Sequence, residues 1–414
     1  MRIFVWHGYL LAGTGSNIYA RQLSREWSRD GHDVTVFSQD PDPARVDLGG
    51  AATMRPDVHG FLPVFVLDDY AGYEVRRLQD CTRAELDAWV EANASALREC
   101  GPADLVFVNH VLLGGPVGAA SGSPYIVKAH GSELEYSMRG NRELSTWGGR
   151  ALDGATATIV GSEHIREVLA EICGTVERVE TIPPGVDVEL WQPEAREPAL
   201  EALLAEARRD LPNPGNADER HPDDGNDERL LAFLRGERPT VVYYGKLIRN
   251  KGVQVLLEAL RGIDARAVVV GFGDYRSELE EQARGLDVLF TGPLEHRHLV
   301  HLLALADACV VPSIFPEAFG MVAAESAAAG CPPLVADHSG LAEVGAGLEE
   351  DYPAGLRDLV RFPSNDAEAL RERLGALLAL GPDDREAIRA AARRAAVERW
   401  SWGSVAQRIL AVAG

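Results

Sequence analysis

No apolar run in this 414-residue chain approaches the roughly 20 residues that a bilayer-spanning helix needs. The segment Met1-Arg2-Ile3-Phe4-Val5-Trp6-His7 is a short strand-like run. It lacks the longer apolar stretch and small-residue cleavage site of a signal peptide, so export is not expected. Cysteine is sparse. Cys81, Cys100, Cys173, Cys309 and Cys331 are odd in number and scattered, with no C-x-x-C pair. A disulfide framework or zinc site is not expected, and a reducing cytoplasm fits. Basic residues are outnumbered, 41 against 63, for a formal net charge of −22. Nonspecific binding of nucleic acid or anionic lipid is disfavoured, because neutralising phosphates takes clustered Lys and Arg. An anionic small ligand would have to be met by a few placed cations. Apolar residues are not lacking: 46% are hydrophobic and 25% charged, the balance of a soluble globular protein. At about 150 residues per domain the length points to two or three domains.

Short β-branched runs alternate with amphipathic helical stretches. Strands are expected at Ile3–Trp6, Asp33–Phe37, Pro63–Leu67, Asp104–Val108, Tyr125–Lys128, Ala157–Val160 and Arg178–Ile182. Helices are expected at Asn17–Asp30, Arg83–Cys100 and Ser162–Ile172. This is the rhythm of βαβ units around a parallel sheet. It breaks between about Asp187 and Arg238. There, helical pieces Pro198–Leu211 and Glu228–Leu234 flank an acidic Pro/Gly/Asn/Asp-rich stretch, Pro212 to Asp227, that reads as a mobile loop or a lid. A second series starts at Thr240–Tyr244, with further strands at Ala267–Val270, Val288–Phe290, Ala308–Val311 and Pro333–Ala336. The expected organisation is an N-terminal Rossmann-like domain over 1–190, a linker and acidic insertion over 191–238, and a second Rossmann-like domain over 239–386. Residues 387–414 are expected to cross back to the first domain. Two such α/β domains imply a cleft, with ligands beyond the carboxyl ends of the strands.

The most informative segment runs from Pro312 to Pro332. A strand ends at Pro312, and a helix begins near Gly320 and stops at Gly330. The free N–H groups of Phe319, Gly320, Met321 and Val322 favour an anion such as a diphosphate. Glu317 sits just before the helix. Glu325 lies about one and a half turns inside it, among Ala323, Ala324, Ala327 and Ala328. A carboxylate in an alanine-rich helix needs a partner, and sugar or ribose hydroxyls are suitable donors.

The spacing Glu317–x7–Glu325, with Phe319-Gly320 inside and Gly330-x-Pro332 after it, resembles the E-x7-E motif of family-four glycosyltransferases of the GT-B fold. The resemblance extends over 240–414. Tyr244-Gly245-Lys246-Leu247 with Asn250-Lys251-Gly252-Val253 resembles the donor-diphosphate loop. Val270-Gly271-Phe272-Gly273-Asp274 resembles the following G-x-G turn. Phe290-Thr291-Gly292-Pro293-Leu294 resembles the segment whose backbone faces the donor base. Ser339-Gly340-Leu341-Ala342-Glu343 resembles the G-x-x-E loop, and Trp400-Ser401-Trp402 the tail that precedes the helix crossing back. In the first half, Gly13-Thr14-Gly15-Ser16-Asn17 stands where the family has a glycine-rich acceptor or phosphate loop; a tight turn is the plain alternative. Gly31-His32-Asp33-Val34 is similar to a structural helix stop before a strand. Val127-Lys128-Ala129-His130-Gly131-Ser132-Glu133 resembles the family's H-G strand end, whose histidine touches the donor sugar. That makes His130 the preferred candidate over His7, His59 and His110, with a satisfied core histidine as the alternative.

The resemblance implies a retaining glycosyltransferase that moves a sugar from a nucleotide diphosphate sugar to a small, soluble hydroxyl acceptor. UDP-sugar is the first-choice donor, with GDP- and ADP-sugars next. Glu317, His130 and Lys251 are the catalytic candidates. Lys246, Lys251, Glu325, Gly320, Phe319, Met321, Val322, Gly245, Gly292 and Leu294 are the donor-binding candidates. Gly13, Gly15, Ser16 and Glu133 are candidates for an acceptor or phosphate loop, with Glu135 a further acceptor contact. Lys246 replaces the family's usual arginine, giving a point charge in place of a fork. No cofactor is expected. Nor is a metal: Asp40-Pro41-Asp42 matches D-x-D in letters only, on a proline-rich loop. His296-x-His298-x-x-His301 is read as the start of a packing helix. Alternatives are a nucleotide-sugar epimerase, a lipid-acceptor glycosyltransferase at the membrane surface, a nicotinamide oxidoreductase using the first glycine loop with Asp40 on a ribose, and a sugar-nucleotide sensor.

Overall fold

The computed structural model describes residues 1–11, 13, 15–65, 70 and 72–414. The chain divides into two compact units, Met1–Gly185 with Trp402–Gly414, and Val186–Ser401.

In the first unit, β1 (Arg2–Trp6), β2 (Asp33–Phe37), β3 (Ala52–Met54), β6 (Leu105–Asn109), β7 (Tyr125–Lys128), β8 (Ala157–Val160) and β9 (Val179–Thr181) form a parallel sheet in the order β3-β2-β1-β6-β7-β8-β9. A small separate sheet pairs β4 (Phe61–Val64) with β5 (Glu74–Arg77). Val66 and Leu67 of the strand expected at Pro63–Leu67 lie outside the described residues, as does Thr14 of the glycine loop. Side chains alternate across the sheet with the period of two that a strand imposes. Ile3 and Val5 join the core on the face covered by helices Gly15–Arg29 and Trp402–Ala413. Phe4 and Trp6 join the other, under helices Arg83–Glu99, Gly114–Ala120, Arg142–Leu152 and Glu163–Cys173. These helices start where caps permit. Thr82 and Glu85 form a reciprocal capping box, and Ser162 accepts the Ile165 N–H.

The second unit holds β10 (Thr240–Tyr244), β11 (Arg266–Val270), β12 (Val288–Phe290), β13 (Ala308–Val311), β14 (Pro333–Ala336) and β15 (Arg361–Phe362), all parallel, in the order β12-β11-β10-β13-β14-β15. The strand order reverses between β10 and β13, and in the first unit between β1 and β6. Open α/β sheets bind ligands at such reversals, beyond the carboxyl ends of the strands.

The boundaries differ from the sequence reading in two places. Only Trp402–Gly414 returns to the first unit, where 387–414 was expected. Helix Pro382–Trp400 stays on the second unit because Ala391, Ala392, Ala395 and Ala396 form a flat, buried stripe. Its Arg393 also donates to the carbonyls of Trp191 (2.6 Å), Ala328 (2.7 Å) and Val188 (2.9 Å). Residues 191–238 are part of the second unit and not a separate linker. The stretch 212–227, read from its composition as a mobile loop, is fastened at particular residues. Asn213 and Asp223 are buried within it. The Asn213 amide donates to the carbonyls of Asp218 (2.9 Å) and Pro222 (3.1 Å) and accepts the Asp218 N–H (3.0 Å). The stretch read as a G-x-x-E loop is the first turn of a 13-residue helix, Ser339–Asp351.

Candidate functional site

At the β10/β13 reversal, two turns lock together. The Ile314 N–H donates to the Asn250 carbonyl at 2.9 Å. Gly252, at φ +72°, presses so close to β13 that a Cβ there would lie 1.8 Å from the Pro312 carbonyl oxygen. No other residue type fits that approach. It brings Lys251 to Glu317, with Nζ 2.5 Å from Oε1 and both side chains partly buried. The two residues assigned separately to diphosphate and sugar are thus paired with each other. Lys246, one turn earlier, is exposed, and among the described residues its side chain has no ion pair.

Glu317 is held by a chain of hydrogen bonds that begins outside the motif. His338 Nε2 donates to the Ser313 carbonyl at 2.6 Å, which fixes the tautomer and leaves Nδ1 to accept the Ser339 hydroxyl at 2.9 Å. Ser339 Oγ in turn accepts the Glu317 N–H at 2.9 Å, and the Gly340 N–H donates to the Glu317 carbonyl at 3.0 Å. Phe319 is buried against Trp400, ring centroids 6.0 Å apart. Helix Met321–Ala328 follows with Gly320 as its N-cap. Its first N–H groups, including those of Met321 and Val322, have no intrahelical acceptor.

Glu325 is buried, and its Oε2 accepts the Tyr244 hydroxyl at 2.9 Å. Burial pushes its pKa up to about 7, with the Tyr244 hydrogen bond acting in the opposite direction. Among the described residues this carboxyl has one protein donor, a hydroxyl that also lies 3.0 Å from the Val322 carbonyl, and room in its chemistry for more, as a recogniser of hydroxyls requires.

Three turns stand in a row beyond β10, β11 and β12. The Leu247 N–H donates to the Phe272 carbonyl (2.8 Å), and the Gly271 N–H to the Gly292 carbonyl (3.0 Å). Gly245, Lys246, Gly292 and Leu294 all lie on these turns, with Leu294 in the core.

The first unit gathers a different cluster at its own reversal. His7 follows β1, Asn109 and His110 end β6, and Lys128 and His130 end β7. His110 lies 6.2 Å from His7 and 4.7 Å from His130, ring to ring. His130 Nε2 bonds to Asn109 Oδ1 at 2.8 Å, and His7 Nε2 to Asn17 Oδ1 at 2.8 Å. Burial, and then His110, Lys128 and His7, hold the His130 pKa well below the usual imidazole value. Burial brings the Lys128 ammonium down to about 7, against a smaller opposing pull from Glu133. Ranking His130 above His7 and His110 therefore separated residues that the fold joins. Their common sign was a polar residue directly after a β-branched run. His59 is elsewhere, exposed beside Asp57.

Several sequence assignments change. Glu133 is fully buried and accepts the N–H groups of His130 (2.6 Å) and Val111 (3.4 Å) and His110 Nδ1 (3.1 Å). It caps the strand ends and presents no oxygen to an acceptor. Glu135 pairs with Arg139 one helical turn away. Asp40 is buried and tied at both oxygens, Oδ2 accepting the Leu11 N–H at 2.9 Å with Arg45 at 3.4 Å and Oδ1 accepting the Asp42 N–H at 3.0 Å, which makes it a fastener of its own loop. The three histidines of 296–301 part company. His296 stacks edge-on with Trp191, His298 lies 3.1 Å from Asp210, and His301 bonds Glu194 at 2.7 Å. Gly13 and Gly15 flank the undescribed Thr14, and Gly15-Ser16 opens the first helix.

Residues 231–395 match the family model described as Glycosyl transferases group 1, and residues 13–190 match Glycosyltransferase Family 4. A D-inositol 3-phosphate glycosyltransferase of Xylanimonas cellulosilytica is 27% identical over 423 residues, spanning 96% of this chain and 91% of the relative. A GDP-mannose-dependent alpha-(1-6)-phosphatidylinositol monomannoside mannosyltransferase of Mycobacterium tuberculosis is 27% identical over 307 residues, spanning 70% of this chain and 69% of the relative. Among solved structures, a sucrose-phosphate synthase from Thermosynechococcus elongatus has a TM-score of 0.64 at 21% identity, covering 100% of this chain and 98% of that one. The two family matches fall one on each structural unit, and both sheets have the parallel order that their fold demands. The chain belongs to the family-four type of glycosyltransferase, with the GT-B fold.

Proposed function

We propose that this glycosyltransferase takes its sugar from a nucleoside diphosphate sugar, retains the anomeric configuration and uses no metal ion or other cofactor. The observation that carries this reading is the convergence at the β10/β13 reversal. Lys251, Lys246 and the N-terminus of helix Met321–Ala328 supply positive charge for a diphosphate, while Glu317 and Glu325 supply carboxylates for hydroxyls. Glu325 takes the ribose hydroxyls and Glu317 the sugar. Gly245, Phe319, Gly320, Met321 and Val322 line the diphosphate end, and Gly292 and Leu294 the nucleoside end.

In the reaction the bond from the anomeric carbon to the phosphate oxygen breaks, and a bond to the acceptor oxygen forms on the same face. The acceptor proton passes to the departing phosphate oxygen, so no protein base is needed. Lys251 and Lys246 stabilise the leaving charge as a preorganised clamp, and losing one such donor typically costs about 3–4 kcal/mol. Metal independence is supported by the tied state of Asp40 within the one D-x-D match. His130 as a sugar contact and Gly13, Gly15 and Ser16 as an acceptor or phosphate loop complete the reading for the first unit.

The acceptor is a small soluble polyol hydroxyl. One relative is named for an inositol phosphate, which supports that choice. The name of the second relative favours a lipid-borne inositol glycan as the other reading. Among the described residues no helix is long and apolar enough to cross a membrane.

The test is calorimetry and thermal shift with UDP, GDP, ADP and NAD in EDTA. One nucleoside diphosphate binds the parent protein, and K251A and E325A weaken it by at least tenfold, about 1.4 kcal/mol. Binding of NAD alone, or full activity in E325A, overturns the assignment. Turnover of donor without any acceptor would point to the epimerase.

A further inference from the structure

The acidic segment 212–227 is folded against one particular place. The Asp223 N–H donates to the Thr291 carbonyl at 2.8 Å, and the Asn226 side-chain amide donates to the same oxygen at 2.9 Å. Both lone pairs of that carbonyl are therefore used. The Asp223 carboxylate is buried and held in a two-pronged grip by Arg276, at 2.8 and 2.6 Å. Arg229 approaches it at 3.3 Å and donates to the Phe290 carbonyl at 2.6 Å. Gly292 sits at φ +69°, and a Cβ there would lie 2.7 Å from Asp223 Oδ1 and 3.0 Å from the Asp223 nitrogen. The segment thus lies backbone to backbone on the Thr291–Gly292 turn. Through Arg276 it is also tied to the helix that leaves the Gly271–Gly273 turn.

This turn stands two strands from β10, roughly 10 Å at the usual strand spacing. That is the wrong place to meet a diphosphate held by Lys251, and the right distance for the other end of a nucleotide. A turn that reads a flat heterocycle through its backbone must itself be fixed, since a backbone donor has no rotamer to adjust. The Gly271 N–H holds the Gly292 carbonyl from the β11 side, and segment 212–227 holds Thr291 from the other, which together remove the freedom that glycine brings.

We propose that segment 212–227 is the outer wall of the nucleobase site, with Asp223 and Asn226 as positioning residues that fix the Thr291–Leu294 backbone for the base of the donor. The inference rests on the donor reading above and deepens it. The segment contributes no group to the chemistry; it sets how tightly the base is held.

The experiment compares two probes by calorimetry, the best-binding nucleoside diphosphate and inorganic pyrophosphate, on the parent, D223A and N226A. N226A removes the Asn226 bond to Thr291 and the one it accepts from Arg229, but keeps the Arg276 grip on Asp223, so it stands in if D223A does not fold. The expected result is a loss of about tenfold or more in nucleoside diphosphate affinity, with pyrophosphate affinity unchanged within about twofold. In turnover, donor KM rises while kcat at saturation holds. A general loosening of the unit would weaken both probes alike, and that outcome overturns the proposal, as does unchanged binding of both. If the parent protein binds pyrophosphate but no nucleoside diphosphate, the donor reading fails first and takes this inference with it.

Discussion

Glu325 is where folding and binding pull in opposite directions. Burial raises its pKa from 4.5 to about 7. A raised acid contributes stability that is fully present below the unfolded value and is lost as pH rises through the folded one. The charged form is thus a cost above pH 7, of up to about 3 kcal/mol for a shift of this size. E325Q should be more stable than the parent at pH 8, with the gap closing toward pH 4.5, as urea unfolding at both ends will show. The same variant should lose nucleoside diphosphate binding. In the parent, hydroxyl donors need the carboxylate, so affinity should rise about tenfold from pH 6 to pH 8 beyond any change seen in E325Q. Calorimetry in buffers of different ionisation enthalpy should register a proton released on binding at pH 6.5. Glu133 is the opposite case, a buried carboxylate already fully employed. E133A should lower stability by about 3 kcal/mol, since it strands buried donors. A folded E133A with a changed acceptor KM would restore the acceptor role that its burial argues against.

At the scale of elements, the β10/β13 turns depend on contacts that motif spacing does not encode. S339A removes the acceptor of the Glu317 N–H and the donor to His338 in one step. It should cost about 1 kcal/mol and raise donor KM, without altering the fold by circular dichroism. G252A should do far more, by at least 1–3 kcal/mol, because its Cβ would collide with the Pro312 carbonyl and its φ is left-handed. An unshifted melting curve for G252A would show that the turn gives way. The core strands were legible because buried parallel strands read as continuous β-branched runs, and Thr240–Tyr244 and Ala308–Val311 have the bounds read from sequence. Strand Ala52–Met54 was not legible, being exposed along its length and without an apolar signal. Helix Gly114–Ala120 was hidden by three glycines and a proline. The E-x7-E residues were visible as a motif, but the Lys251–Glu317 pair spans 66 positions and Tyr244–Glu325 spans 81. In segment 212–227, composition reported polarity but not the inward-facing contacts. It cannot tell a solvated Asp from Asp223, turned inward onto Arg276.

For the whole molecule, the two tryptophans of Trp400-Ser401-Trp402 belong to different units. Trp400 packs on Phe319 and Trp402 on Tyr19, the latter at 5.1 Å. Ending the chain at Ser401 strips Trp402, Val405, Ala406 and Ile409 from the first unit's core. The loss is roughly 5 kcal/mol or more at the usual value per buried side chain. Scanning calorimetry of that truncation should show the first unit melting early, while the nucleoside diphosphate still shifts the second transition. A single unshifted transition would count against the division. The chain enters the second unit at Val186 and leaves it at Ser401, and there the Val186 N–H meets the Trp400 carbonyl at 2.6 Å. An unbroken stretch whose ends touch is a cassette, and its position imposes an order on synthesis. At about 5–20 residues per second, the ribosome takes on the order of ten seconds or longer to make it. Throughout that time the face of the first sheet at Phe107, with Tyr19 of helix Gly15–Arg29 beside it, stays half-covered and waits for residues 402–413. The nascent chain therefore completes its second half before its first, and the first half is the one that a chaperone would have to shelter.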